Sequence, residues 1–129
     1  MNFEDFLTDD ILTEGKQMPL LKGGEPTDHW LHVIGAASRS VTRDRIRWAI
    51  NREAIDSKYE EVEDKEKLLV DKAEEGEAND MAFALKLVTA WSFDKFSKSK
   101  LKQLLSANQG LSFLVIAFAY EQDGEREKK

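Results

Sequence analysis

Residues 17–35, QMPLLKGGEPTDHWLHVIG, decide the fold, because both prolines of the chain and three of its seven glycines lie here. Gly23 opens a run of turn-forming residues that separates two more extended pieces. Trp30, Val33 and Ile34 supply the aromatic and β-branched side chains that strands prefer. The stretch therefore predicts strand, turn and strand, that is, a small β-hairpin over about residues 17–35.

A short amphipathic helix is predicted before the hairpin, with Asn2 as its N-cap and Gly15 at its end. A helix at a chain end has little of its own domain to cover it, so we expect its apolar face to contact another chain or to dock back. The apolar residues of this face recur at intervals of three and four: Phe3, Phe6, Leu7, Ile11 and Leu12.

After residue 38 the hydrophobic pattern is helical almost to the end. It starts at Ser40, a suitable N-cap, and meets neither proline nor glycine before Gly76. This predicts one long charged helix, or two helices joined near Ser57. Arginines dominate its first part, whereas residues 53–77 are strongly acidic.

The last third of the chain predicts further helices. Residues 78–91 form the first of them, Ser97 or Ser99 can cap a short second one, and residues 111–120 read as a buried third. The predicted fold class is therefore mainly α, a small helical bundle with one long charged helix and an N-terminal β-hairpin.

We expect one α-rich domain over residues 1–121, with its helical part at about residues 38–121. Residues 122–129 contain no apolar side chain and are predicted to form a disordered charged tail. A chain of 129 residues with 41% hydrophobic and 34% charged residues is typical of one soluble domain.

The charge and the missing cysteines exclude several classes of protein. A formal net charge of −6 argues against a surface built throughout for nucleic acid or an anionic membrane. With no cysteine, disulfides and cysteine-ligated zinc are impossible. The acidic start lacks the pattern of a signal peptide, and the longest apolar run is about half the length of a membrane span. These features favour a cytoplasmic protein without a membrane partner.

No motif in the sequence indicates catalysis, so we expect a non-enzymatic protein without a cofactor. The two histidines, His29 and His32, would point to opposite faces of a strand and could not share a metal ion. Phosphate-binding glycine loops and the G-x-S-x-G turn of a serine nucleophile are absent.

An arginine ridge is the strongest charged feature, because Arg39, Arg43 and Arg47 recur at steps of four with Trp48 beside them. Nucleic-acid binding is one interpretation, although the acidic segments would repel phosphates. The other interpretation is pairing with acidic helices of this chain or of another copy. The predicted partner or self-association residues are thus Phe3, Phe6, Leu7, Ile11, Trp30, Arg39, Arg43 and Arg47.

The stretch over residues 24–38, GEPTDHWLHVIGAAS, resembles the tail assembly chaperones of long-tailed double-stranded DNA phages and prophages. In that family a Gly-x-Pro-Thr turn leads into a Trp-Leu/Ile-x-Val strand, a Gly-Ala turn with a serine, and an arginine-bearing helix. The later WSFD motif at residues 91–94, followed by Leu101, Leu104 and Leu105, is similar to the second half of the family.

The resemblance implies a chaperone that binds the tape measure protein and the tail tube protein during virion assembly. Such a protein acts in the host cytoplasm and is absent from the mature virion. The family also implies a longer form made by ribosomal frameshifting, for which the Glu-Lys-Lys at residues 127–129 could be encoded by a slippery A-rich run. The alternative is a small phage or bacterial nucleic-acid-binding protein that uses the arginine ridge.

Overall fold

The chain is mostly helical and carries a small antiparallel sheet, which confirms the predicted mainly α class. The computed structural model describes residue 3 and residues 12–127, with side chains as far as Asp123. In chain order the elements are strand β1 (Lys16–Lys22), strand β2 (Glu25–Val33), a 3-10 turn (Arg39–Val41), helix α1 (Thr42–Lys58), helix α2 (Lys65–Leu87), strand β3 (Val88–Trp91), helix α3 (Lys98–Ala107) and helix α4 (Leu111–Glu127).

The predicted hairpin is present as β1 and β2, joined by a two-residue turn at Gly23 and Gly24. Both glycines have positive φ, of 60° and 82°, as the tight hairpin turn of type I′ requires. The register pairs Lys16 with Val33. The hairpin is therefore present, but its turn is shorter than predicted, because residues 25–28, which read as part of the turn, already belong to β2.

A third strand, β3, was not predicted and replaces the end of the helix expected over residues 78–91. It pairs antiparallel with β2, Leu31 opposite Trp91, so that the sheet order is β1-β2-β3. Helix α2 ends at Leu87, and the ammonium of Lys98 donates hydrogen bonds to the carbonyls of Leu85 and Val88 near that end. These bonds satisfy carbonyls that the helix leaves unpaired.

The long charged region consists of two helices, the second of the predicted alternatives, with the break after Lys58. Asp64 starts α2 by accepting hydrogen bonds from the amides of Glu66 and Lys67. The predicted stop at Gly76 is wrong, because α2 continues through it to Leu87. A glycine inside a helix costs about 1 kcal/mol, which the buried end of α2 outweighs.

The N-cap predicted at Ser40 is also wrong. Ser40 lies in the 3-10 turn before α1, and its hydroxyl is hydrogen-bonded to that of Ser38 at 2.9 Å. The cap at Ser97 is confirmed, since its hydroxyl accepts a hydrogen bond from the amide of Lys100 at the start of α3.

The core lies between the sheet, the second half of α2, and helices α3 and α4. The loop after β2 is held against three neighbours by backbone bonds, from Ile34 to Leu87, Gly35 to Leu12 and Ala36 to Ala119. The largest fully buried side chains include Phe83, Leu12, Leu31, Leu87, Leu101, Leu105, Ile116, Val33, Val88 and Val115.

The prediction of a disordered tail from residue 122 is wrong at its start, because α4 extends to Glu127. Gln122 is buried, and its amide donates a hydrogen bond of 2.8 Å to the carbonyl of Val33 in β2. Asp123 accepts a hydrogen bond of 3.2 Å from the amide of Ala37. A buried polar side chain that ties a helix to a strand belongs to the folded domain.

Candidate functional site

An apolar groove with a volume of about 580 Å³ lies between β1 and α4. We call it the β1–α4 groove. Its floor and walls are mostly aliphatic, with one aromatic ring, and its principal residues are Met18, Leu21, Leu104, Leu111, Leu114 and Phe118. No titratable cluster lines it apart from Glu121 at its margin, so its surface suits an apolar partner.

In the part of the chain that the structure describes, β1 is an edge strand of the sheet, and the groove lies against it. Pro19 removes one backbone donor from that strand, and the ladder with β2 is irregular between Pro19 and Leu21. Both devices weaken the pairing of a further strand at an edge. The groove is therefore better suited to apolar side chains than to strand addition.

Two leucines on opposite walls of the groove remain exposed to solvent. Leu21 of β1 is 60% exposed and Leu114 of α4 is 56% exposed. The next residue along α4, Val115, is fully buried in the core. Exposed apolar side chains gathered around one concave surface typically mark a protein contact. The sequence had assigned all of residues 111–120 to a buried helix, so this surface was not predicted.

A second exposed feature is an aromatic cluster around Phe93, just after β3. The rings of His29 and Phe93 stack at 4.3 Å, and Trp91 packs edge-on against Phe93 and Phe96. The indole of Trp91 donates a hydrogen bond of 2.7 Å to the carbonyl of Asp94, which closes the turn after the strand. The WSFD motif at residues 91–94 therefore stabilises the turn after β3.

The Ser92 hydroxyl bridges β2 and β3. It accepts a hydrogen bond of 2.9 Å from the amide of Trp30 and lies 3.0 Å from the Nδ1 of His29. The other histidine, His32, bonds instead to the carbonyl of Glu14. Within residues 12–123, no group of three or more histidine, aspartate or glutamate side chains is placed to hold a metal ion.

The predicted contact residues near the N-terminus fall mostly outside the described chain. Phe6, Leu7 and Ile11 lie outside the described residues, and Phe3 is exposed. Trp30 is half-buried in β2, at the edge of the aromatic cluster.

The arginine ridge is divided between two elements. Arg39 lies in the 3-10 turn, while Arg43 and Arg47 are exposed one turn apart on α1. Trp48 is half-buried on another side of α1, and its indole donates a hydrogen bond of 2.8 Å to Asp80 of α2. Its ring packs 5.6 Å from that of Phe83. Trp48 therefore packs inside the protein and is not placed to stack on a nucleic-acid base.

A charged cluster joins the end of α1 to the middle of α2. The ammonium of Lys58 donates a hydrogen bond of 2.6 Å to Glu75. The hydrogen bond from Lys58 is the main reason why the pKa of Glu75 lies below its usual value. The same bond raises the pKa of Lys58. Asp56 and Lys72 form a second pair at 3.4 Å.

None of the described helices is long and apolar enough to cross a membrane. Comparison with protein-family models, with curated proteins and with solved structures gave no match for this chain.

Proposed function

We propose that this protein is a non-enzymatic phage tail assembly chaperone that holds the tape measure protein or the tail tube protein in the host cytoplasm during tail assembly. The observation that carries the proposal is the β1–α4 groove, a large apolar surface on an acidic protein. The sequence stretch over residues 24–38 supplies the family to which the proposal refers.

The groove explains how such a chaperone acts. Leu21 and Leu114 offer apolar surface on opposite walls, so an exposed apolar segment of the client can bury its side chains between them. The formal charge of −6 then keeps the complex in solution through mutual repulsion between complexes. No covalent step is needed, and release follows when the client buries the same segment in the growing tail.

Co-expression with the tape measure protein tests the proposal. We expect the chaperone to raise the soluble fraction of the tape measure protein and to be recovered with it in a pull-down. Leu114→Glu places a charge in the groove and should remove both effects. Because Leu114 is 56% exposed, the variant should keep the circular dichroism spectrum and the unfolding temperature of the wild type.

The neighbouring Phe113 provides a matched control. It is 47% exposed on the same turn of α4 but lies outside the groove, near Arg52 of α1. Phe113→Glu should therefore preserve the rescue of the client. If Leu114→Glu rescues as well as the wild type does, the groove is not the client site. If neither the tape measure protein nor the tail tube protein is retained by the wild type, the proposed function is wrong.

A further inference from the structure

Helix α1 presents an apolar face that nothing in the described chain covers. Ile46 is 49% exposed and Ile50 is 61% exposed. Each is two residues from Trp48, which places it about 160° around the helix from the side that packs on α2. With Ala54, also exposed, they form what we call the α1 stripe.

The α1 stripe is flanked by two arginines and by one exposed glutamate, Glu53, so its flanks are net positive. Arg43 and Arg47 are both exposed and lie within one turn of Ile46 or Ile50. In the part of the chain that the structure describes, neither guanidinium has an ion-pair partner. The face thus combines an apolar centre with cations that no carboxylate of its own described chain neutralises.

Helix α2 carries a second exposed apolar face near its start. Leu69 is 71% exposed, Val70 is 49% exposed, and Ala73 is exposed beside them. We call these three residues the α2 stripe. At 100° per residue each of them lies within about 40° of either Phe83 or Ala84, which pack in the core. The core face of α2 therefore continues past the body of the domain.

The α2 stripe is uncovered because α4 does not extend along it. The turn before α4, at Gln109 and Gly110, lies next to Ala73 and Gly76 of α2. Beyond this point no described helix covers the face of α2, and Leu69 and Val70 are exposed. Two acidic residues, Glu66 and Glu77, stand on the same face at either end of the stripe.

We infer that the α2 stripe of one copy binds the α1 stripe of a second copy. The apolar centres of the two faces match in character, and their charges are opposite, arginine on α1 and glutamate on α2. The occupant is therefore another molecule of this protein. The α1 stripe spans about 12 Å of helix and the α2 stripe about 6 Å, so the contact is small and we expect at best micromolar affinity.

The two stripes are different surfaces, and we infer that a single contact between them joins two copies head-to-tail. Each copy that uses its α1 stripe then still has a free α2 stripe, and the assembly can grow beyond a dimer. A two-fold dimer, in which both stripe contacts form between the same two copies, would stop at two copies. The inference goes beyond the proposed function, since it needs no client.

Sedimentation velocity over a range of micromolar concentrations tests the inference. The wild type should show an average mass that rises with concentration beyond that of a dimer. Ile50→Glu should repel the acidic α2 stripe, and Leu69→Lys should repel the basic α1 stripe. Each variant alone should therefore bind itself at least tenfold more weakly and remain largely monomeric.

The decisive sample is an equimolar mixture of the two variants. Ile50→Glu keeps an intact α2 stripe and Leu69→Lys keeps an intact α1 stripe, so the mixture should associate at least to a heterodimer. A mixture that stays monomeric overturns the inference, as does a wild type that is monomeric throughout or stops at a dimer. Leu114→Glu is the control and should assemble as the wild type does, so failure of the client site is distinguishable from failure of self-association.

Discussion

Replacing Gln122 by alanine gives a direct test of how the C-terminal helix is held. The side chain of Gln122 is only 5% exposed, and its amide donates a hydrogen bond of 2.8 Å to the carbonyl of Val33. The bond links α4 to β2, which are 89 residues apart in the sequence. We expect Gln122→Ala to destabilise the whole domain and not only the end of α4.

The magnitude follows from three contributions. A buried carbonyl that loses its donor costs about 1–3 kcal/mol. The methylene that alanine lacks contributes about 0.8 kcal/mol of burial. The better helix propensity of alanine returns a few tenths of a kcal/mol. The free energy of unfolding should therefore fall by about 2–3 kcal/mol, which lowers the unfolding temperature of a domain of this size by about 10 °C.

Urea unfolding followed by far-ultraviolet circular dichroism measures this change, with Glu121→Ala as the control. Glu121 is the preceding residue of α4 and is exposed, so its replacement should change the free energy of unfolding by less than about 0.5 kcal/mol. If Gln122→Ala is as stable as Glu121→Ala, the end of α4 does not pack on β2. The disordered tail that the sequence predicts from residue 122 would then be correct.

Two further predictions concern Gly15 and the charged cluster that contains Lys58 and Glu75. Gly15→Ala should lower the free energy of unfolding by about 2–4 kcal/mol, because Gly15 has φ of +73° and a Cβ there would overlap the carbonyl of Val33. Gly24→Ala is the control, since Gly24 also has positive φ but open space around it, and it should cost only about 1 kcal/mol. Thermal unfolding measures both losses, and equal losses would contradict the steric argument. Because the pKa of Glu75 is lowered in the folded state, its contribution to stability is complete above the usual pKa of 4.5 and is lost as the pH falls through the folded-state pKa. The unfolding temperature of Glu75→Gln should therefore depend less on pH in that acid range than that of the wild type. Parallel pH profiles of the two proteins would show that the bond between Glu75 and Lys58 is absent in solution.

The features that local chemistry determines were predictable from the sequence. Gly23 and Gly24 are a strong turn signal, and the hairpin forms around them. Ser97 caps α3, and Leu101 and Leu105 then point into the core at helical spacing. In each case the residues that decide the structure are within a few positions of one another.

The wrong predictions concern segments whose structure depends on contacts with residues far away in the sequence. Val88 to Trp91 continue a helical pattern, yet they form β3 because β2 offers a free edge for pairing. Gly76 stays inside α2 because the second half of that helix is buried. Gln122 is polar, and the sequence therefore predicted a disordered tail from this residue, but its amide donates a hydrogen bond to the carbonyl of Val33 in β2. None of these partners is visible in a local window.

The candidate surfaces were harder to predict than the fold, since apolar periodicity does not say which face is covered. Leu114 and Val115 are neighbours in one apolar run, and only their position relative to β1 makes one exposed and the other buried. The same holds for Leu69, which continues the face of α2 that Phe83 buries in the core. The sequence reveals that a helix has an apolar face, whereas the length of its neighbours decides how much of that face is left for a partner.

The two proposed surfaces differ in how the fold supports them. The β1–α4 groove is built on residues next to the core, so its shape is fixed by the packing that stabilises the domain. Helix α1, in contrast, has no buried residue, and a helix of 17 residues gains little stability without packing. It is held to α2 by half-buried Trp48 and by polar pairs such as Lys58 with Glu75. A second copy bound across the α1 stripe would add the apolar cover that this helix lacks, so self-association would stabilise α1 by mass action while leaving the groove unchanged.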